Sequence, residues 1–357
     1  MKILVLKVQT IGDTLLVSPL ISNLYRHYGK PSIDVFINEG TFEMLSLNPN
    51  VNNLYTYKRE SQRRYTVLQR LKKNITLLRK IRAEKYDLLI DLDDGDRGAF
   101  ISLFSNAKMK LGSGLTKSNV LKKSYDLFFF KDSSLHTIEK CLSPLNILNI
   151  EPIDKNVRIY WEKKDEIAIN KKLLDVRPFV HIHPFSSGKH KDLDPRIWPK
   201  IIDFLHEKLA LNTVLTCSGD QFEVTRLKTI ASKAKYKPKC FFGTLTLKQV
   251  AVLNKNAQFF LGVDTAVMHI SAANNIPTIA FFGPTNVANW GPWDNDLGKS
   301  FYIKGGGIQK NGKHIVISNR KPCIPCNQYG CSNNFESDCL LQLDIKEIKE
   351  IIQDFRQ

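Results

Sequence analysis

No run of apolar residues comes near the roughly 18 needed to span a bilayer; stretches such as Ile276 to Phe282 are only strand-sized. A secretory signal is also missing. Ile3 to Leu6 is interrupted at Lys7, and no small-residue cleavage site follows, so an intracellular chain is expected. Cysteine is scarce: seven in 357 residues, an odd number, which argues against a disulfide scaffold. The loop after the first apolar run lacks a G-x-G-x-x-G pattern, so a nicotinamide cofactor is not indicated. Acids are in short supply, with 35 Asp and Glu against 52 Lys and Arg, a net charge of +17. Such a surface favours an anionic partner: nucleic acid, an acidic lipid surface or a phosphorylated small molecule.

What is present suffices for two cores. Hydrophobic residues make up 43% of the 357 residues, and at roughly 100–200 residues per domain two domains are expected. Short β-rich runs alternate with helical patterns throughout, which predicts parallel βαβ units in an α/β fold. Strands are expected at Lys2 to Val8, Ser32 to Ile37, Leu54 to Tyr57, Tyr86 to Asp91 and Leu127 to Phe130. A helix from Thr14 to Tyr28 carries Pro19 and is expected to kink there. A second βαβ series starts near Pro178 with strands at Phe179 to His183, Thr213 to Cys217, Gln258 to Val263 and Pro277 to Phe282. The joint between the series is sought within Asp154 to Pro178, which divides the chain into 1–165, a linker at 166–178, 179–343 and a terminal helix at 344–357. The window Lys58 to Lys85 holds eleven Lys and Arg against two Glu on a helix whose other face is apolar. It is either a solvated face or a patch for anionic headgroups or a phosphorylated acceptor.

Four clusters can carry chemistry. Gln9 to Asp13 follows the first strand, where ligands of open α/β sheets gather. There Gly12 permits close approach or an unusual turn, and Asp13 is either a helix N-cap or a base for an attacking hydroxyl. Gly262 to His269 runs from a strand into a helix, so the N–H groups of Thr265, Ala266 and Val267 form an anion site suited to a diphosphate. Asp264 can hold sugar hydroxyls, and His269 reaches a phosphate or packs in the core. In the third cluster Ser186, Ser187 and Gly188 follow a strand and precede Lys189, His190 and Lys191. That composition offers backbone donors with a cation to neutralise a leaving diphosphate, but chemistry alone does not choose among the three cations. Lastly, Cys323, Cys326, Cys331 and Cys339 have a spacing that allows a tetrahedral thiolate site for Zn or Fe, a reduced metal-free loop or a disulfide pair.

Taken together, Lys2 to Lys7 through Gly12 and Asp13, Tyr86 to Asp91, Lys191-x6-Trp198, Gly262 to His269 and Phe282-Gly283-Pro284-Thr285 resemble the glycosyltransferase family 9 heptosyltransferases, in order and over nearly the whole chain. The sequence looks closest to enzymes of the third-heptosyltransferase kind. The resemblance implies a GT-B fold, two Rossmann-like doubly wound domains facing across a cleft, with acceptor bound by the first and nucleotide-sugar by the second. The terminal helix would pack back toward the N-terminal domain. The implied reaction is inverting transfer of L-glycero-D-manno-heptose from ADP-heptose to a lipopolysaccharide inner-core sugar, in the cytoplasm at the inner face of the inner membrane.

By position, the resemblance makes Asp13 the base and Lys191, seven residues before Trp198, the cation beside the departing ADP. It places Ser186, Ser187, Gly188, Glu223, Asp264, Thr265, Ala266, Val267 and His269 at the donor, and Lys7, Thr10, Gly12, Arg59, Arg63, Arg64 and Arg97 at the acceptor. Leu193 stands where the family usually has Trp, and Ala266 where many members have Gly. No cofactor is expected to be required for catalysis, and the four cysteines are expected to be structural, with Zn or Fe as the ion to look for. The expected partners are ADP-heptose, a lipopolysaccharide core acceptor and an anionic membrane surface, with no nucleic acid. Transfer from another nucleotide-sugar, a nucleotide-sugar epimerase, or a basic nucleic-acid binder are the competing readings.

Overall fold

The computed structural model describes residues 1–57 and 67–356, with the side chains of 67–74, 333 and 356 outside that description. It divides into two units, Met1–Tyr160 and Trp161–Gln357.

The first unit runs β1 (Lys2–Lys7), α1 (Ile11–Leu15), α2 (Ser18–His27), β2 (Ser32–Asn38), β3 (Asn53–Tyr57), α3 (Val67–Ala83), β4 (Leu88–Asp91), α4 (Asp96–Phe104), β5 (Met109–Gly112), α5 (Asn119–Lys122), β6 (Leu127–Phe128), α6 (Thr137–Leu142) and α7 (Pro144–Ile147). Its six strands take the order β3-β2-β1-β4-β5-β6, and every pairing is parallel. The apolar interior of β1 explains its central place: Ile3 to Leu6 are buried, as a strand covered on both faces requires. The helix expected over 14–28 is two helices. Proline lacks an N–H and fits the first turn, so Pro19 opens α2 instead of kinking a continuous helix.

The second unit runs α8 (Lys163–Leu173), β7 (Phe179–His183), α9 (Ile197–Leu209), β8 (Asn212–Cys217), α10 (Gln221–Lys233), β9 (Lys239–Phe242), α11 (Leu247–Lys255), β10 (Phe260–Val263), α12 (Ala266–Ala273), β11 (Thr278–Phe282), α13 (Val287–Trp290), β12 (Gly307–Asn311), β13 (His314–Ser318), α14 (Asp338–Leu341) and α15 (Ile345–Arg356). The seven strands order as β12-β13-β11-β10-β7-β8-β9, parallel except for the β12–β13 pair.

Two expectations about the chain's joints are corrected. The stretch 166–178 is not a linker: α8 occupies most of it, and Ile169, Leu173 and Val176 are buried with Phe179 and Val214 of the second unit. Upstream, Asp154 is tied into the first unit by Ser22 Oγ at 2.7 Å and Asn23 Nδ2 at 2.6 Å. The terminal helix, expected to pack back toward the N-terminal domain, spends its apolar face on the second unit's own core. Ile348 and Ile352 are buried there, and Phe355 meets the Phe259 ring edge-on at 5.7 Å.

Candidate functional site

Each sheet reverses its strand order at one point, and loops at the carboxyl ends of strands flanking such a point are where ligands bind. In the first unit the reversal lies between β1 and β4, and in the second between β7 and β10. The candidates around Asp13, Arg97, Lys191 and Asp264 sit at these points.

Past β1, Thr10 caps α1 and Asp13 stands three residues in. Thr10 Oγ1 donates to Asp13 Oδ2 at 2.6 Å, and the Thr10 N–H donates to the same oxygen at 3.3 Å. Asp13 is therefore the reciprocal partner in a capping box, not the N-cap itself. Its other oxygen lies 3.5 Å from Lys7 Nζ. Lys7 is buried; burial pulls its pKa down, but Cys141, Asp13, Asp93 and Asp94 outweigh that and leave it raised. Lys7, expected on the acceptor, faces the Asp13 carboxylate. Gly12 lies inside α1 with no positive φ, so the unusual turn considered for it is not formed.

Past β4, Asp93 accepts the Val8 N–H on both oxygens, at 2.9 and 3.0 Å, and so ties this loop to the one after β1. Arg97 donates to the Val8 carbonyl at 3.4 Å and lies over the Tyr57 ring at 5.2 Å. Asp91 is enclosed: a Cβ at Gly98 would fall 1.9 Å from its carboxylate, so only glycine fits there. Burial, with Asp93 beside it, pushes its carboxyl up to about 7 against the hydrogen bonds from Tyr125 and the Asp93 N–H. Lys131, which donates to the Leu92 carbonyl at 2.6 Å, is a further cation here. Sequence reasoning missed Asp93 and Lys131, although both follow strand ends, the one signal available. Arg59, Arg63 and Arg64 lie outside the described residues.

In the second unit, Lys191 Nζ pairs with Asp264 Oδ2 at 2.7 Å, spanning the reversal between β7 and β10. Asp264 is buried and its N–H donates to the Phe281 carbonyl at 3.2 Å. Thr265 is the N-cap of α12, in extended conformation, and its side chain makes no capping bond. The first-turn N–H groups of Ala266 and Val267 thus point out of the helix start beside Lys191, where the dipole favours an anion. The neighbouring cations go elsewhere: Lys189 pairs with Glu336 at 2.6 Å, and the His190 ring meets Tyr329 at 5.0 Å. Ser186 closes its own turn, its Oγ bonding the Gly188 carbonyl at 2.9 Å and accepting the Gly188 N–H at 3.1 Å, while its N–H goes to Asp192 at 2.9 Å. Ser187 is exposed in that turn. Glu223 accepts the Ser218 N–H at 2.9 Å and so fixes the loop after β8. His269 is buried, its ring 6.3 Å from that of Trp290. Asp192, also missed, lies under this loop paired with Arg226; burial pushes its carboxyl up to about 6.

The cysteine segment braces these loops. Ser337 Oγ donates to the His190 carbonyl at 2.6 Å, and the Asn327 N–H donates to the Pro284 carbonyl at 2.9 Å. A Cβ on Gly283 would fall 2.6 Å from Leu340 and 3.3 Å from the Cys339 sulfur, so glycine is needed at this approach. Burial first, then the neighbouring Cys331, Cys326 and Cys323, pushes the Cys339 thiol up to about 11. All four cysteines are free, and among the described residues no group of three or more His, Cys, Asp or Glu is gathered so as to hold a metal ion. No chemistry is routed through an ion there.

Comparison with known proteins accords with this geometry. The family model for glycosyltransferase family 9 (heptosyltransferase) matches residues 75–306. The lipopolysaccharide heptosyltransferase 3 of Escherichia coli is 29% identical over 292 residues, covering 80% of this chain and 84% of that protein. The lipooligosaccharide heptosyltransferase 2 of Campylobacter jejuni is 23% identical over 338 residues, 93% and 91% of the two chains. Among solved structures, a family 9 glycosyl transferase from Veillonella parvula superposes with a TM-score of 0.83 at 15% identity, over 99% of this chain and 97% of that one. The E. coli heptosyltransferase WaaC with ADP gives 0.75 at 18%, over 99% and 100%. The fold, two Rossmann-like units, is GT-B. Because the family model spans more than half of its length, the chain belongs to glycosyltransferase family 9, the heptosyltransferases, and is a glycosyltransferase.

Proposed function

We propose that the protein transfers L-glycero-D-manno-heptose from ADP-heptose, with inversion, to a sugar of the lipopolysaccharide inner core. The observation that carries this reading is the Lys191–Asp264 pair of 2.7 Å at the amide-bearing start of α12. It offers a cation and N–H donors to a diphosphate, and a carboxylate to sugar hydroxyls, at one switch point.

In this reading Asp13 takes the proton of the acceptor hydroxyl as its oxygen bonds to the anomeric carbon. The bond from that carbon to the diphosphate oxygen breaks on the opposite face, and its electron pair leaves with ADP. Lys191 and the N–H groups of Thr265, Ala266 and Val267 stabilise the charge that grows there. Lys7 and Thr10 hold Asp13 in place, since one of its oxygens faces the ammonium and the other accepts from Thr10. Arg97 serves an acidic acceptor. His269, Glu223 and the Ser186–Gly188 turn shape the donor side. The charge compensation comes from the protein, so we expect activity to survive exhaustive chelation within about twofold; loss of turnover restored by a divalent ion would contradict that. A cytoplasmic enzyme attached peripherally to an anionic membrane fits the net charge of +17, and among the described residues no helix is long and apolar enough to cross a bilayer.

The test is to mix the protein with ADP-heptose and core acceptor lacking the heptose. ADP release matched by an acceptor heavier by one anhydroheptose is expected. Conversion of ADP-heptose without acceptor would mark an epimerase instead, and inertness toward ADP-heptose alongside turnover of another nucleotide-sugar would overturn the donor assignment.

A further inference from the structure

One face of the first unit carries exposed hydrophobics that nothing in its core uses. Helix α4 buries Gly98, Ala99, Ile101 and Ser102 but leaves Phe100, Leu103 and Phe104 at 44, 47 and 40% exposure. These stand at i, i+3 and i+4, a single stripe along the helix. The Phe100 and Phe104 rings touch, with centroids 4.7 Å apart. The stripe is flanked on both sides. Helix α3 packs beside α4, and its Arg82 donates to the Phe104 carbonyl at 3.5 Å. Helix α5 packs on the other side, with Val120 at 74% exposure next to Lys122 and Lys123. The sequence of α3 has six Lys and Arg and no acid, and Arg79, Lys80 and Arg82 are exposed on it.

We propose that the α3–α4–α5 face is the surface by which the protein docks on an anionic lipid bilayer, with Phe100, Leu103 and Phe104 inserted at the level of the acyl-chain boundary. The charge pattern selects this occupant. Aromatic and aliphatic side chains in a row, bordered by cations, match the apolar interior and anionic headgroups of an interface. A second copy of the chain would bring the same cationic borders against each other, which like-charge repulsion opposes. A patch of this kind on a monomer marks an interaction site rather than a packing defect. The inference deepens the membrane attachment proposed above and rests on it for its biological sense. It is scored without turnover, so its failure is distinguishable from failure of the transferase reading.

The experiment is co-sedimentation of the full chain with vesicles of phosphatidylethanolamine and phosphatidylglycerol, against phosphatidylcholine vesicles. Wild type is expected to bind the anionic vesicles and to lose at least about tenfold in partitioning at 0.5 M salt. Phe100→Gln/Leu103→Gln/Phe104→Gln should lose about tenfold or more on anionic vesicles while keeping its melting temperature and its activity on a detergent-free, truncated acceptor. Arg79→Gln/Lys80→Gln/Arg82→Gln should bind anionic vesicles several-fold more weakly. Wild-type affinity in the triple apolar variant overturns the proposal. So does a wild-type dimer in the absence of lipid that the same variant converts to monomer, because the face would then be a protein interface.

Discussion

Lys189, His190 and Lys191 follow one another, yet the three side chains meet Glu336, Tyr329 and Asp264 respectively. The reason is local. They form one turn of 3₁₀-helix, and at three residues per turn successive side chains leave about 120° apart. Composition shows three equivalent cations; only the turn separates them, and that turn could not be read from a Ser- and Gly-rich loop. The resemblance, through its seven-residue step to Trp198, points to Lys191 among the three. Lys191→Ala is therefore expected to lower kcat by about 10²–10³, as loss of one charge-stabilising donor does. Lys189→Ala, which removes a half-exposed surface pair, should stay within about threefold. Steady-state kinetics with ADP-heptose decides between them, and equal losses would contradict the assignment. Asp13 shows the opposite case. Its place at a strand end was legible, but the capping role considered for it belongs to Thr10, because the helix starts earlier than the apolar periodicity suggests.

At the scale of elements, strands buried on both faces were the easiest to read. β1 and β11 carry near-continuous apolar runs and appear where the pattern predicts. β5, with only four residues and a half-exposed face, gave too weak a signal. Helix α8 reads from sequence as a joint because four of its eleven residues are Lys, and only Asp165, Ile169 and Leu173 are buried on it. The cysteine segment reads from its spacing as a candidate ligand set, and its hydrogen bonds brace the neighbouring loops, with Ser337 on the His190 carbonyl and Asn327 on the Pro284 carbonyl. Ser337→Ala leaves that buried carbonyl short of a donor, a cost of about 1–2 kcal/mol. It should lower donor affinity about three- to tenfold, with rescue by Ser337→Thr. Measuring KM and kcat separately checks this: a variant with lower melting temperature but unchanged KM for the donor would show a purely structural role.

For the molecule as a whole, the two parallel sheets follow from alternating βα patterns, and the placing of chemistry at their switch points follows from topology. The side chains that tune those points are buried and cost stability in a pH-dependent way. Asp91 in the first unit is raised from 3.8 to about 7 by burial. Its folded form holds the proton more tightly than the unfolded chain, so its stabilising contribution is full below pH 3.8 and is lost as pH rises toward 7. The second unit has the opposite case in His183, buried against Thr216 and lowered to about 4, whose contribution is present above 6.5 and lost as pH falls toward 4. Urea unfolding of wild type and Asp91→Asn at pH 5 and pH 7 should show the wild-type advantage shrinking by about 2 kcal/mol between the two. An advantage that grows with pH would contradict the burial argument.

The central claim is that the Asp13 carboxylate takes the acceptor's proton. Asp13→Asn tests it most directly, since the amide oxygen can still accept from Thr10 but cannot receive a proton at neutral pH. Single-turnover kinetics with ADP-heptose and core acceptor, alongside calorimetric binding of the donor, should show turnover reduced by about 10²–10⁴ with donor affinity within about threefold of wild type. Turnover close to wild type in that variant would contradict the account.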